Sequence, residues 1–101
     1  MLPPQEIELH KAELQELCRK YGVAELALFG SALRSDFRPD SDLDFLVDFK
    51  PDRRVGLFAF NRFRNELGDL FRRRVDLVTK RGLRDETKDS ILRSARTIYA
   101  G

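Results

Sequence analysis

The sequence has 101 residues, of which 42% are hydrophobic and 36% charged, a balance typical of a folded globular protein. A chain of this length forms one small core, so we expect a single domain over residues 1–101. The 19 lysines and arginines nearly balance the 17 aspartates and glutamates. Because the net charge is small, it does not predict direct binding to nucleic acid.

The first predicted element is a helix that follows Pro3 and Pro4 and stops at Gly22. Its apolar residues recur at helical spacing on one stripe: Ile7, Leu14, Leu17, Cys18 and Tyr21. Cys18 is the only cysteine, so no intrachain disulfide is predicted and the thiol is interpreted as a core group. The sequence has no signal-peptide pattern and no apolar run of membrane-spanning length, so we expect a reducing, cytoplasmic location.

Two strand patterns follow, separated by turn residues. Residues 25–29 form a short apolar strand that Gly30 interrupts, and Ser31 is a candidate N-cap for a short helix over residues 32–36. After the turn at residues 38–41, alternation predicts a second strand over residues 43–49. One face of that strand carries Leu43, Phe45, Val47 and Phe49, and the other carries Asp42, Asp44, Leu46 and Asp48.

The remainder of the chain predicts a helix, a strand and a last helix. The first of these helices is indicated by the spacing of Phe60, Phe63, Leu67, Leu70 and Phe71. The basic run at residues 72–74 is interpreted as its solvated end. A third strand covers residues 75–78 and contains one carboxylate, Asp76. The last helix is indicated by Leu83, Ile91, Ala95, Ile98 and Tyr99.

The predicted element order is therefore α-β-α-β-α-β-α. Strands that alternate with helices predict an α/β fold, here a three-stranded mixed sheet flanked by helices.

The second strand brings two carboxylates to one face, because Asp42 and Asp44 are two residues apart. Like charges this close destabilise each other unless a proton or a cation lies between them. Carboxylates without nearby thiols or imidazoles suit a hard cation, most simply Mg²⁺. Asp76 would complete a three-carboxylate cluster if its strand lay beside the second one, and an isolated carboxylate buried in an apolar strand would be costly.

The Gly30-Ser31 turn suits a phosphate group. Glycine lets backbone amides approach a ligand closely, and a helix starting at Ser31 would direct its N–H groups outward. A phosphate cradle facing a metal cluster indicates phosphoryl or nucleotidyl transfer. A Gly-Ser pair after a strand is common, however, and Asp42 with Asp44 also fits a solvated strand edge that opposes aggregation.

The residues quoted above resemble a known family. Gly30-Ser31, ten intervening residues, the Asp42-x-Asp44 pair and a later Asp76 resemble the nucleotidyltransferases of the DNA polymerase β superfamily. The strings RPDSDLDFLVDF and VDLVT resemble the minimal nucleotidyltransferases (MNT) in particular. This family includes the antitoxins of HEPN/MNT toxin–antitoxin pairs.

The resemblance implies a site and a reaction. Asp42, Asp44 and Asp76 would be the catalytic residues and Mg²⁺ ligands, while Gly30 and Ser31 would hold the triphosphate of ATP. Arg34 and Ser41 would also contact the nucleotide. Ser35 stands where relatives often carry glycine, which bears on nucleotide affinity more than on metal binding.

The resemblance also implies a partner, a cognate HEPN ribonuclease toxin that receives AMP on a hydroxyl, with tyrosine as the expected acceptor. Two assemblies are compatible with the resemblance, a homo-oligomer and a hetero-oligomer with the toxin. Two alternatives are kept: a catalytically weak MNT fold that neutralises the toxin by binding alone, and a nucleotidyltransferase that modifies a small-molecule hydroxyl.

Overall fold

The fold is that of a computed structural model, which describes residues 3–30 and 42–101. The helices are α1 (Pro3–Leu9), α2 (Lys11–Tyr21), α3 (Leu57–Phe71) and α4 (Asp85–Ser94). The strands are β1 (Val23–Phe29), β2 (Leu43–Phe49), β3 (Val75–Thr79) and β4 (Arg96–Ala100), and a 3₁₀ turn (Lys80–Gly82) follows β3. No helix within these described ranges is long and apolar enough to cross a membrane.

The strands form one sheet in the order β3-β2-β1-β4. β1 pairs in antiparallel fashion with both β2 and β4, whereas β2 and β3 are parallel. The predicted α/β fold with a mixed sheet is therefore confirmed, as are the bounds of β2. The predicted number of three strands is wrong, because the sheet has a fourth.

The fourth strand replaces the end of the predicted last helix. α4 ends at Ser94, and β4 pairs with β1 so that Tyr99 is the Cα partner of Leu26. Ile98 and Tyr99 were assigned to the apolar face of a helix, but both pack against the main core from the strand. Their spacing suits a helix, yet a run of β-branched and aromatic residues also suits a strand, and the open edge of β1 decides between the two.

The predicted N-terminal helix is divided into α1 and α2 at His10, whose backbone (φ −106°, ψ 21°) is not helical. The predicted stop at Gly22 is confirmed, since this glycine caps α2 in the left-handed conformation (φ 69°). The predicted apolar stripe is also confirmed. Its buried members are Ile7, Leu14, Cys18 and Tyr21, and Leu17 is partly buried against them.

The core lies between one face of the sheet and the helices α1, α2 and α3. Alternate residues of β2, Leu43, Phe45 and Val47, are buried there, as their parity predicts. Phe63 and Leu67 of α3 are fully buried against them. The opposite parity of β2, to which Asp44 belongs, therefore faces away from this core.

A charged contact joins α1 to the segment between α3 and β3. Arg73 Nη2 donates to Glu6 Oε1 at 2.7 Å, and Arg73 Nε donates to Glu6 Oε2 at 3.1 Å. The two side chains are only 8% and 15% exposed. The prediction that residues 72–74 form a solvated helix end is wrong for Arg73. This residue makes a bidentate ion pair with Glu6, which fixes the relative orientation of the two side chains.

We expect Glu6→Gln to lower the free energy of unfolding by about 1–3 kcal/mol, because it removes the charge opposite a mostly buried guanidinium. Urea unfolding monitored by circular dichroism measures the change. The matched control is Glu16→Gln, which alters the exposed pair with Arg19 and should cost less than about 0.5 kcal/mol. Equal losses in the two variants would contradict the assigned importance of the Glu6–Arg73 contact.

Cys18 lies fully inside the core (0% exposed), which confirms its predicted role. Burial raises the pKa of the Cys18 thiol from 9.0 to about 12. As the pH rises, the unfolded chain therefore ionises at Cys18 before the folded protein does. The stabilising contribution is complete below about pH 9 and is lost as the pH approaches 12.

We expect the wild-type protein to lose stability with rising pH faster than Cys18→Ala does. The difference in slope should approach about 1.4 kcal/mol per pH unit above the pKa of the unfolded thiol. Urea unfolding of both proteins from neutral to alkaline pH gives the slope of the free energy of unfolding against pH. A cavity left by alanine lowers the variant's free energy of unfolding equally at every pH and so does not change its slope. Parallel slopes would show that the thiol does not titrate as its burial requires.

Candidate active site

Two aspartates face each other across the parallel pair of strands. Asp44 of β2 and Asp76 of β3 are Cα partners in the register, and each is the second residue of its strand. Neighbouring strands lie about 4.8 Å apart, and paired residues project to the same face. Asp42 precedes β2 by one residue and shares the parity of Asp44. The condition set for Asp76, that the third strand lies beside the second, is met.

The three carboxylates differ in exposure. Asp44 is partly buried, because β2 has a neighbouring strand on each side, whereas Asp42 and Asp76 are exposed. The expectation that Asp76 would be buried in an apolar strand is wrong, because β3 is an edge strand. The pair therefore has one side enclosed by the sheet and one side open to an incoming molecule.

Gly30 closes the site from the β1 side. Phe29, the last residue of β1, is the Cα partner of Asp44, and Gly30 follows it with φ 71°. A Cβ on Gly30 would overlap Asp44 Oδ2 and would lie 3.2 Å from Asp44 Cγ. Glycine is needed here both for its left-handed backbone and for the space that the carboxylate occupies. The sequence predicted a phosphate-binding role for Gly30 but not this contact.

Three of the predicted nucleotide-binding residues, Ser31, Arg34 and Ser41, lie outside the described residues, as does the predicted helix over residues 32–36. Gly30 and Asp42 are the described residues on either side of that segment. Both lie at the end of the sheet where β1 stops and β2 starts, which is also the end that carries Asp76.

The side-chain donor atoms at this end of the sheet indicate whether a metal ion could bind there. Among residues 3–30 and 42–101, no three histidine, cysteine, aspartate or glutamate side chains are close enough to enclose a metal ion. Mg²⁺ does not need such an enclosure, since it is usually held by one or two carboxylates together with waters and substrate phosphates. The paired Asp44 and Asp76 supply two carboxylates of that kind, and Asp42 lies one residue before β2.

Comparison with known sequences places the chain among nucleotide-transferring proteins. The family model described as "Nucleotidyltransferase domain" matches residues 11–98. A relative from Thermococcus cleftensis, protein adenylyltransferase MntA, is 39% identical over 97 residues, which span 92% of this chain and 93% of the relative.

Two solved structures resemble the fold. One, assigned as a minimal nucleotidyltransferase, has a TM-score of 0.75 and 34% identity, and the match covers 90% of this chain and 91% of that chain. The other is a tri-AMPylated Shewanella oneidensis HEPN toxin in complex with MNT antitoxin. It has a TM-score of 0.67 at 18% identity and covers 93% of this chain and 72% of that chain. At that identity the likeness supports the fold alone.

We expect Asp76→Asn to stabilise the protein in the presence of EDTA. The substitution removes a negative charge directly opposite Asp44, and like charges at paired positions cost about 0.2–1 kcal/mol. Added Mg²⁺ should raise the melting temperature of the wild type more than that of the variant, because binding to the folded state stabilises it.

Thermal unfolding with EDTA and with Mg²⁺ measures both effects. Asp52→Asn is the control, since Asp52 is an exposed carboxylate in the turn after β2, at the other end of that strand. A loss of stability for Asp76→Asn in EDTA would contradict the assignment of a repulsive pair.

Proposed function

The chain belongs to the nucleotidyltransferase domain family, and on this premise we propose that it is an antitoxin that transfers AMP from ATP to a hydroxyl of a cognate HEPN-type toxin. Tyrosine is the proposed acceptor residue. The observation that carries the proposal is the in-register pairing of Asp44 with Asp76 beside Gly30. The name and 39% identity of the Thermococcus cleftensis relative support adenylyl transfer in particular.

The proposed reaction is a displacement at the α-phosphorus of ATP. The acceptor hydroxyl oxygen forms a bond to this phosphorus, the bond to the bridging oxygen breaks, and pyrophosphate leaves. The hydroxyl proton passes to a carboxylate. Asp76 is the proposed proton acceptor because its side chain is exposed on the edge strand, where an acceptor can reach it.

Asp44 and Asp42 have a different role in this proposal. They would hold Mg²⁺, to which Asp76 could also be a ligand, and the cation would neutralise negative charge on the phosphates. Gly30 leaves room for the Asp44 carboxylate, since a Cβ at position 30 would overlap Asp44 Oδ2. Gly30 and Ser31 hold the triphosphate, and Arg34 and Ser41 contact the nucleotide.

The open side of the pair supports a large acceptor. Asp42 and Asp76 are exposed, so a side chain on another protein can approach them without entering a closed pocket. A small acceptor needs a cavity that buries most of its surface. The proposed class of partner is the one named for the MNT antitoxin of the Shewanella oneidensis complex, with which this chain shares its fold.

We expect Asp44→Asn to reduce AMP transfer by at least about 100-fold while the protein stays folded, because the change removes a charge from the reaction site. The measurement is the intact mass of the cognate toxin after incubation with this protein, ATP and Mg²⁺. Asp89→Asn on α4 makes the same charge change at an exposed position away from the site and should retain full transfer.

Each other outcome of this experiment has a definite meaning. Unchanged transfer by Asp44→Asn would refute the assigned role of the aspartates. A stable complex in which the wild type leaves the toxin unmodified would favour neutralisation by binding alone. Labelled AMP found on a small hydroxyl compound but not on the toxin would favour the small-molecule alternative.

A further inference from the structure

The end of the sheet opposite the paired aspartates carries a cavity of about 280 Å³ whose lining includes three basic side chains. Lys50 directly follows β2, and Arg81 lies in the 3₁₀ turn that directly follows β3, so the cavity lies at the carboxyl ends of the two parallel strands. Arg53, in the loop between β2 and α3, completes the basic lining. The carboxyl ends of parallel strands are the usual place for ligands in α/β sheets.

This cavity is remote from the paired aspartates. Asp44 and Lys50 are six residues apart along β2 and its immediate continuation, which corresponds to about 20 Å of extended chain. A phosphate held among Lys50, Arg53 and Arg81 is therefore distinct from the phosphates of the nucleotide proposed to bind near Gly30 and Asp44.

The charge of the lining favours an anion. Lys50, Arg53 and Arg81 face a single lining carboxylate, that of Asp48. Within the described parts of the chain, no ion pair engages any of the three cations. Bringing like charges around one cavity is unfavourable, and an oxyanion bound among them would remove that repulsion.

Arg53 is already held in position. Its Nη2 donates to the Lys20 carbonyl oxygen at 3.1 Å, and its side chain lies so close to Gly22 that a Cβ there would be 2.6 Å from Arg53 Cγ. One donor of the guanidinium is used in this way, and the fork has four more. An arginine fixed in advance loses less conformational entropy when it binds an oxyanion.

The turn that carries Arg81 is also fixed. Thr79 Oγ1, at the end of β3, accepts a hydrogen bond from the Gly82 backbone N–H at 3.1 Å. The remaining lining includes Phe49 and Val55, which give the cavity an apolar wall beside its cations. A volume near the lower limit of small-molecule pockets, about 300 Å³, suits a phosphate group with a small attached portion.

We propose that this cavity is a binding site for a phosphate-bearing anion no larger than a nucleoside monophosphate. The phosphate would accept hydrogen bonds from Arg53, Arg81 and Lys50, and any attached group would lie against the apolar wall. The proposal does not depend on the transfer reaction, because none of these residues belongs to the aspartate site.

The test is a titration of the isotope-labelled full chain, followed by amide NMR spectra, with inorganic phosphate and separately with AMP. EDTA is present throughout, so that no metal assists anion binding at the carboxylates. We expect the amide shifts to concentrate at residues 49–55 and 79–83. No saturable shift at these amides with either anion would overturn the proposal.

The two anions distinguish the source of the phosphate. Equal affinities would assign the site to free phosphate, since the attached nucleoside then adds nothing. Tighter binding of AMP, with larger shifts at Phe49 and Val55 than inorganic phosphate produces, would assign it to a nucleotide.

Charge variants test the lining directly. Arg81→Glu should weaken binding about tenfold or more, because it reverses a charge beside the anion. Asp48→Asn should tighten it about threefold to tenfold, because it removes the opposing carboxylate. Arg93→Glu, at an exposed position on α4, is the matched control for overall charge and should leave the affinity unchanged. An equal loss with Arg93→Glu would overturn a specific site in favour of general attraction.

Discussion

The in-register pairing of β2 with β3 is the constraint on which the rest of the structure depends. It places Asp44 opposite Asp76, and the energetic cost of two like charges at paired positions is about 0.2–1 kcal/mol. Burial of a single large apolar side chain contributes about 1.5–3 kcal/mol, and β2 alone buries Leu43, Phe45 and Val47 on its other face. The core therefore outweighs the repulsion, and the strand can keep a charged face without losing its position.

The same strand explains why Gly30 cannot be replaced without consequence. β1 is antiparallel to β2, so the end of β1 meets the beginning of β2 and brings the backbone after Phe29 against Asp44. The space for the carboxylate exists only because position 30 lacks a Cβ. A residue whose motif indicates contact with a ligand thus also leaves the space that the carboxylate of Asp44 occupies. One glycine serves both the fold and the site.

Local patterns in the sequence predicted those elements whose packing is local. The alternation in β2, the helical spacing in α3 and the stop at Gly22 are each expressed within a few residues, and the structure confirms them. β4 was missed because its partner, β1, lies about seventy residues earlier, and only that open edge makes residues 96–100 a strand. The contact of Arg73 with Glu6 joins residues 67 apart, so spacing could not reveal it.

In the candidate site, too, the sequence predicts local features better than those that depend on distant parts of the chain. The adjacency of Asp44 and Asp76 could be inferred from two strands of similar pattern, whereas the exposure of Asp76 depends on which strand lies at the edge.

The net charge of +2 conceals how charge is arranged along β2. Among the described residues, the carboxylates of Asp42, Asp44 and Asp76 lie at its start, and the cations of Lys50, Arg53 and Arg81 lie beyond its end. These opposed groups contribute an electric dipole along the strand, which Arg74 beside its start and Asp48 and Asp52 near its end reduce. The field of a charged partner exerts a torque on this dipole and turns the molecule before contact. Salt screens that field over a Debye length of about 8 Å at physiological ionic strength and so weakens the alignment.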